Sequence, residues 1–360
     1  MDYWKRQVAL QNVLGRNRLD AILITHPPNI RYLCGFTGSS AALLVNEDKN
    51  FFFSDGRYSE QARNEVQGAK IVIGKKAAIV LAAEWLNSKQ RQRLRFLGLE
   101  AEHLTMASYD RIKKQLPSIR LKAAPPLVET ARMIKDAEEL LLLRKAVHMG
   151  ADLFDKVLPI IKPGIKEIEI AAEMEFQAHK AGAQEMSFPT IIASGERSAL
   201  PHGRASNAVL PDAGLVVCDF GVILAGYCSD QTRTIGVGKP SAEARRAYDA
   251  VKDAQQAAVD AVRPGSSFAD PDLAARKLLK ARGLAKFFTH STGHGVGLEI
   301  HENPRLAAGQ SGIFQPGMVV TIEPGVYVPG KFGVRIEDMV LVTERGCEVL
   351  TPSSKEWLVH

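Results

Sequence analysis

The feature that most constrains this chain is a repeat. A helix-like stretch opening at Asp136, DAEELLLLRKAVHMGADLFDKVLPII, stops at Lys162-Pro163-Gly164, and a second, KEIEIAAEMEFQAHKA, stops at Gly182. About a hundred residues later the order returns: SAEARRAYDAVKDAQQAAVDAV stops at Arg263-Pro264-Gly265, and another helix opens at Asp270-Pro271 and stops at Gly283. Proline cannot continue a helix, and glycine takes the left-handed turn that ends one. Each helix pair is followed by two β-rich runs. We read residues 127–360 as two related halves under a pseudo-two-fold, packed as one domain around a shared antiparallel sheet.

The first third is built differently. DAILITHPP, AALLVNED, NFFFSDGRY and KIVIG are short apolar runs bounded by turn residues, hence strands. Helix-like segments alternate with them: the N-terminus, SEQARNEVQ and AAIVLAAEWLNSKQRQRL. That alternation predicts a small α/β domain over 1–126, with the Pro-rich stretch KAAPPLVE at 122–129 as the joint. The fold class is therefore α+β: an α/β domain followed by the repeat domain, two domains being what 360 residues suggest.

No apolar run approaches a membrane span, and the charged start MDYWKRQVALQ does not read as a secretory signal. The four cysteines are scattered, without a CxxC pair, so a reducing cytoplasm is the simplest setting. The net charge of +6 is uneven: residues 1–126 carry about +9 and the remainder about −3. The basic run KQRQRLR at 89–95 has no aromatic interleaving, so we read it as a solvated helix face, with neither nucleic acid nor membrane as partner.

The two β-rich runs of the repeat carry acids at mirrored places. In LVVCDFGVILAGYCSDQTRTIGVG, Asp219 and Asp230 are equidistant from a turn centred between Leu224 and Ala225. Antiparallel pairing about that point sets them directly opposite, on one face. In MVVTIEPGVYVPGKFGVRIEDMVLV, Glu323 and Glu337 are equidistant from Gly330. Carboxylates so close repel unless a cation or proton lies between them.

HSTGHGVGLEIHE at 290–302 crowds three of the chain's nine histidines together. Glycines at 293, 295 and 297 let the backbone bend around whatever His294 holds. The spacing is not that of a phosphate loop. Four carboxylates and one imidazole form a mostly hard donor set that suits Mn²⁺ and leaves Co²⁺, Zn²⁺ and Fe²⁺ open. They are too many for one tetrahedral structural zinc, so two divalent ions are expected. Cys218 points away from Asp219, so a disulfide with Cys228 is disfavoured.

In order, LPHG (200–203), CDFG (218–221), SDQTRT (229–234), HSTGHGVGLEIHE, TIEPGVY (321–327) and VRIEDMV (334–340) resemble the pita-bread metallopeptidases over most of 127–360. The N-terminal third resembles the accessory domain of the proline-specific members through GFTGS (35–39) and SDGRYSEQA (54–62). The resemblance implies metal ligands Asp219, Asp230, His294, Glu323 and Glu337, with Asp230 and Glu337 spanning both ions. It implies hydrolysis of short peptides with proline in second position by a hydroxide held between the ions. Glu323 would shuttle the proton to the leaving nitrogen. His301 would stabilise the oxyanion, and His202 would hydrogen-bond the substrate. His290 would line the proline pocket, with Tyr327 and Arg335 at its rim and behind the ligands. Within the family the DGRY segment favours a Xaa-Pro aminopeptidase, and the resemblance implies a homodimer. A Xaa-Pro dipeptidase and, more remotely, a metal-free binding module on the same fold stay open.

Overall fold

A computed structural model of the chain describes residues 1–88 and 94–360. They divide into two compact units, Met1–Arg132 and Met133–His360.

The first unit holds helices α1 (Tyr3–Leu14), α2 (Pro27–Cys34), α3 (Ser59–Glu65), α4 (Ala78–Ser88), α5 (Met106–Gln115) and α6 (Leu127–Arg132). Strands β1 (Ala21–Ile24), β2 (Ala42–Asn46), β3 (Phe51–Asp55), β4 (Lys70–Gly74), β5 (Phe96–Glu100) and β6 (Arg120–Ala124) form one sheet in the order β4-β3-β2-β1-β5-β6. The pairs β1–β2 and β2–β3 are antiparallel and the others parallel. β1 is buried along its whole length, as a continuous apolar run in a sheet covered on both faces must be. Four strands stand where the apolar runs predict them. The remaining two escape sequence reading because RLKAA alternates poorly and FLGLE follows the basic run. Lys89–Arg93 of that run lie outside the described residues, so the helix-face reading has no structural counterpart here. The Pro-rich stretch is ordered: β6 ends at Ala124 and α6 begins at Leu127.

The second unit shows the repeat. Helix α7 (Ala137–Val157) opens with a reciprocal cap between Asp136 and Glu139, and α8 (Glu167–Lys180) follows. Helices α9 (Ala242–Asp260), capped by Ser241, and α10 (Asp270–Ala281) form the second pair. Gly164 and Gly265 have φ of 88° and 85°, and Gly182 and Gly283 have 96° and 73°. The matched glycines thus hold one left-handed backbone state in both halves.

The strands of this unit are β7 (Glu185–Met186), β8 (Ile191–Ser194), β9 (Gly214–Phe220), β10 (Val222–Leu224), β11 (Tyr227–Cys228) and β12 (Gln231–Val237) in the first half. The second half adds β13 (Gly293–Gly295), β14 (Glu302–Leu306), β15 (Val319–Ile322), β16 (Gly325–Val328), β17 (Phe332–Arg335), β18 (Asp338–Val342) and β19 (Cys347–Val349). Every ladder between these strands is antiparallel. α7 and α8 pack on β8, β9 and β12 through Phe154, Ile170, Met174, Val216 and Phe220. α9 and α10 pack on the second half's strands through Tyr248, Val251, Val320 and Ile336.

The halves are stapled along β12. Arg233, 2% exposed, donates to the carbonyl of Glu337 and at 2.8 Å to Asp338 Oδ1, which belongs to the other half. Asp338 also accepts from Gln255 at 2.9 Å and Lys355 at 2.8 Å. The Glu337 N–H donates to the Thr232 carbonyl at 3.1 Å. These bonds lay the acid-bearing segments of the two hairpins side by side. Among the described residues, no helix is long and apolar enough to cross a membrane.

Candidate metal centre

Each hairpin is broken in the middle, and three of the four acids occupy the breaks. Asp230 falls between β11 and β12, Glu323 between β15 and β16, and Glu337 between β17 and β18. Asp219 is the penultimate residue of β9. A broken ladder lets a side chain leave the pleat and turn inward.

The second hairpin has the expected register. Ile322 pairs with Asp338 and, past the break, Gly325 pairs with Arg335, so one symmetry about Gly330 runs through both segments. It sets Glu323 opposite Glu337. The first hairpin departs from expectation. Its turn is Ala225-Gly226, with φ of 47° and 82°, flanked by the pair Leu224–Tyr227. Positive φ at both turn positions matches the strand twist of a two-residue loop. Asp219 therefore pairs with Thr232 and not with Asp230. The slip is two residues in pairing, and because side chains alternate with period two, Asp230 stays on the face of Asp219 as its diagonal neighbour.

His294 lies in β13. The glycines beside it serve close packing: a Cβ on Gly293 would sit 1.9 Å from the Thr321 carbonyl, and one on Gly295 2.1 Å from that of Asn303. The strand is pinned between two backbones, which is a different reason from bending around a ligand. His294 Nδ1 lies 3.0 Å from the Gly295 carbonyl. A carbonyl only accepts, so Nδ1 carries the proton and Nε2 presents its lone pair. Nε2 is 3.6 Å from both Asp230 Oδ2 and Glu323 Oε1. Asp230, His294 and Glu337 bring one ligand atom each to within 4.8 Å of one another.

The electrostatics of this cluster are unbalanced. Burial, then Glu337 and the other acids, pushes Asp230 well above the usual carboxylate range. Burial followed by Glu323 does the same to Glu337, and burial lifts Glu323 to about 8. His294 is pushed down to about 4 by burial, which keeps it neutral. Asp219 Oδ2 accepts from Arg335 Nη2 at 2.5 Å, and Glu337 Oε2 from the Thr232 hydroxyl at 2.7 Å. Their other oxygens, Asp219 Oδ1 and Glu337 Oε1, are buried without a hydrogen-bond partner. A buried carboxylate oxygen left bare is costly unless a cation meets it. Bare acid oxygens plus a neutral imidazole lone pair fit divalent cations.

Around the cluster runs a hydrogen-bonded chain. Arg335 Nη1 donates to the Tyr327 phenol at 2.6 Å and to the Pro201 carbonyl at 3.0 Å, next to His202. An arginine only donates, so the phenol accepts there and gives its own proton to His290 Nε2 at 2.9 Å. His290 Nδ1 donates to the Ser291 carbonyl at 2.8 Å, and burial lowers this histidine to about 4. His301 is exposed, its ring edge-on to that of His294 at 4.4 Å. His202 is exposed. Residues that sequence reading passed over also matter here. Thr232 reaches Glu337 and, as acceptor, Arg335 Nε at 3.1 Å; the correct turn would have found it. Arg305 is exposed and pairs directly with His294 across β13 and β14, so both project from one face.

Comparisons with known proteins show the family. The model of metallopeptidase family M24 matches residues 142–344, and that of the Creatinase/Prolidase N-terminal domain matches 6–134. The chain is 35% identical to the Xaa-Pro dipeptidase of Pyrococcus furiosus, over 98% of this chain and 99% of that one. Among solved structures, a Xaa-Pro dipeptidase from Bacillus anthracis superposes with TM-score 0.95 at 39% identity, covering 99% and 100% of the two chains. An X-Pro aminopeptidase from Thermotoga maritima gives 0.88 at 33%, covering 98% and 99%. Acid-bearing broken hairpins, a repeat of helix pairs and whole-chain likeness lead to one conclusion: this chain belongs to metallopeptidase family M24, hydrolases whose second unit has the pita-bread fold.

Proposed function

We propose that the protein is a Xaa-Pro dipeptidase, cleaving the bond before proline in dipeptides. The observation that carries this reading is Arg305. Arg305 is exposed and its backbone pairs with that of His294 across β13 and β14, which puts the two side chains on one face. A dipeptide ends one residue past the scissile bond, so its carboxylate needs a cation close to the cluster, and a guanidinium grips a carboxylate in two parallel bonds. The relatives named dipeptidases support the same choice over the aminopeptidase that the DGRY segment favours.

In this reading Asp219, Asp230, His294, Glu323 and Glu337 hold two divalent ions, manganese suiting the oxygen-rich set. When bound, such ions polarise a carbonyl and lower the pKa of water. The chain's own groups do the rest. Glu323 takes a proton at its carboxyl and returns it to the leaving proline nitrogen. His301 donates to the oxygen of the scissile carbonyl, and His202 holds the substrate from the opposite loop. His290, kept neutral and oriented by Tyr327, walls the proline ring. Arg335 neutralises Asp219 from behind. Short peptides with proline in second position are the substrate class, and a homodimer is the assembly, to be read by light scattering.

Turnover of Ala-Pro against Ala-Pro-Ala, on chelated protein returned to Mn²⁺, tests the reading. Cleavage of the dipeptide alone is expected, with Arg305→Ala raising its KM. The Thermotoga maritima likeness keeps the aminopeptidase as second reading, and preferred cleavage of the tripeptide would select it.

A further inference from the structure

The loop at 288–291 lies outside any strand, yet it carries His290. Its downstream end is well held. Thr292 donates its hydroxyl to Asp272 Oδ1 at 2.8 Å and its N–H to the Leu306 carbonyl at 3.0 Å, and its own carbonyl accepts from Glu323 N–H at 2.8 Å. Upstream, the Phe288 N–H donates to the Ala285 carbonyl at 3.2 Å, and one side chain from α10 holds the carbonyls of Phe288 and His290. Arg276 Nη1 donates to the Phe288 carbonyl at 3.1 Å and Nη2 to the His290 carbonyl at 2.6 Å. The guanidinium also lies over the Phe288 ring, 4.3 Å from its centre. Its Nε is tied at 2.8 Å to Asp272 Oδ2, which accepts the Ala308 N–H as well, at 3.1 Å. Asp272 is fully buried, so the base of the fork is fixed. Three directed donors of one planar group thus span an acid and two carbonyls two residues apart, which an ammonium on a flexible stem cannot reproduce.

What this anchor controls is the pitch of His290. Both ring nitrogens are engaged, Nε2 by Tyr327 and Nδ1 by the next carbonyl, and the ring stands edge-on to Phe288 at 5.1 Å. The ring can keep those partners only if the backbone at 288–290 stays where Arg276 holds it. We infer that Arg276, seated on Asp272, is a positioning residue for the proline side of the site, acting through the His290 carbonyl. The inference rests on the proposed role of His290 as the wall of the proline pocket.

The test compares Arg276→Lys, Arg276→Met, His290→Ala and, as control, Arg282→Ala, which removes an exposed ion pair to Asp253 elsewhere on the same pair of helices. Each is assayed for KM and kcat on whichever proline substrate the unaltered protein cleaves, for free proline binding by calorimetry, and for melting temperature. Both Arg276 variants should raise KM and weaken proline binding by about tenfold, a sub-ångström to ångström misplacement being enough for that, with kcat much less affected. Arg276→Lys should melt close to the unaltered protein because its charge still meets Asp272. The control should match the unaltered protein throughout. Wild-type KM in Arg276→Lys overturns the inference, and so does a fall in kcat or melting temperature with KM unchanged. If His290→Ala itself leaves KM and proline binding unaltered, the pocket assignment fails first. If His290→Ala raises KM while both Arg276 variants do not, the positioning role alone fails.

Discussion

The two acid-bearing hairpins of the second unit solve one problem with different turns. The first closes on two residues, Ala225-Gly226, both left-handed. The second closes between Val328 and Phe332 over a stretch that holds Gly330, with φ of 70°. Both break at their acids, and each supplies what the other lacks. Arg335 of the second hairpin neutralises Asp219 of the first, and Thr232 of the first satisfies one oxygen of Glu337 in the second. Neither hairpin is complete without its counterpart. The site belongs to the seam, and the pseudo-two-fold is what brings two such hairpins to it.

The sharpest way to break that symmetry is at the acids. Asp230→Ala removes a carboxyl set among Glu337, Asp219, Glu323 and Arg335, 3.6 Å from His294 Nε2, and leaves its backbone N–H on the Met339 sulfur. Turnover should fall by about a thousandfold or more, the scale of losing a metal contact, while circular dichroism and melting change little. Undiminished turnover would take Asp230 out of the site.

The staple should come next. Arg233→Met leaves Asp338 buried with Gln255 and Lys355 but without its partner from the other half. Breaking a buried pair from one side costs about 3–5 kcal/mol. For a unit of this size that is a melting temperature lower by roughly 10 °C. A loss under about 1 kcal/mol would mean that the halves hold together without it.

A smaller effect separates the two straps. Thr232→Val should weaken manganese binding by about tenfold to a hundredfold, the usual cost of losing a group that orients a ligand, with the fold retained. Calorimetric titration of the chelated protein reads this directly, and unchanged affinity would make the Thr232–Glu337 bond incidental.

The smallest is at the turn. No atom lies within 4 Å of where a Cβ on Gly330 would sit, so Gly330→Ala suffers only from its positive φ, about 1–2 kcal/mol. Gly293→Ala should be far worse, because its Cβ would strike the Thr321 carbonyl. Equal melting curves for the two variants would refute the close-approach reading of the His294 strand.

Much of this was legible in the chain. The repeated basic-Pro-Gly stops, the Asp136 cap and the symmetry of Glu323 and Glu337 about Gly330 are local patterns, and the structure keeps each of them. The pairing of Asp219 was not legible, because a hairpin centre depends on which residues accept positive φ, and Ala225 beside Gly226 gives a weak signal. An even slip preserved the face, so the acids still converged. β6 was hidden by weak alternation, and β5 by the basic run that precedes it.

Acid, imidazole and glycine positions, and the helix stops that frame them, are written in the sequence, because each follows from the chemistry of one residue and its near neighbours. Tertiary structure alone decided which side chains meet across the seam: Arg335 with Asp219, Thr232 with Glu337, and Arg233 with Asp338. Those contacts join residues more than a hundred positions apart. No local periodicity encodes such distances, and only the packing of one half on the other brings them within reach.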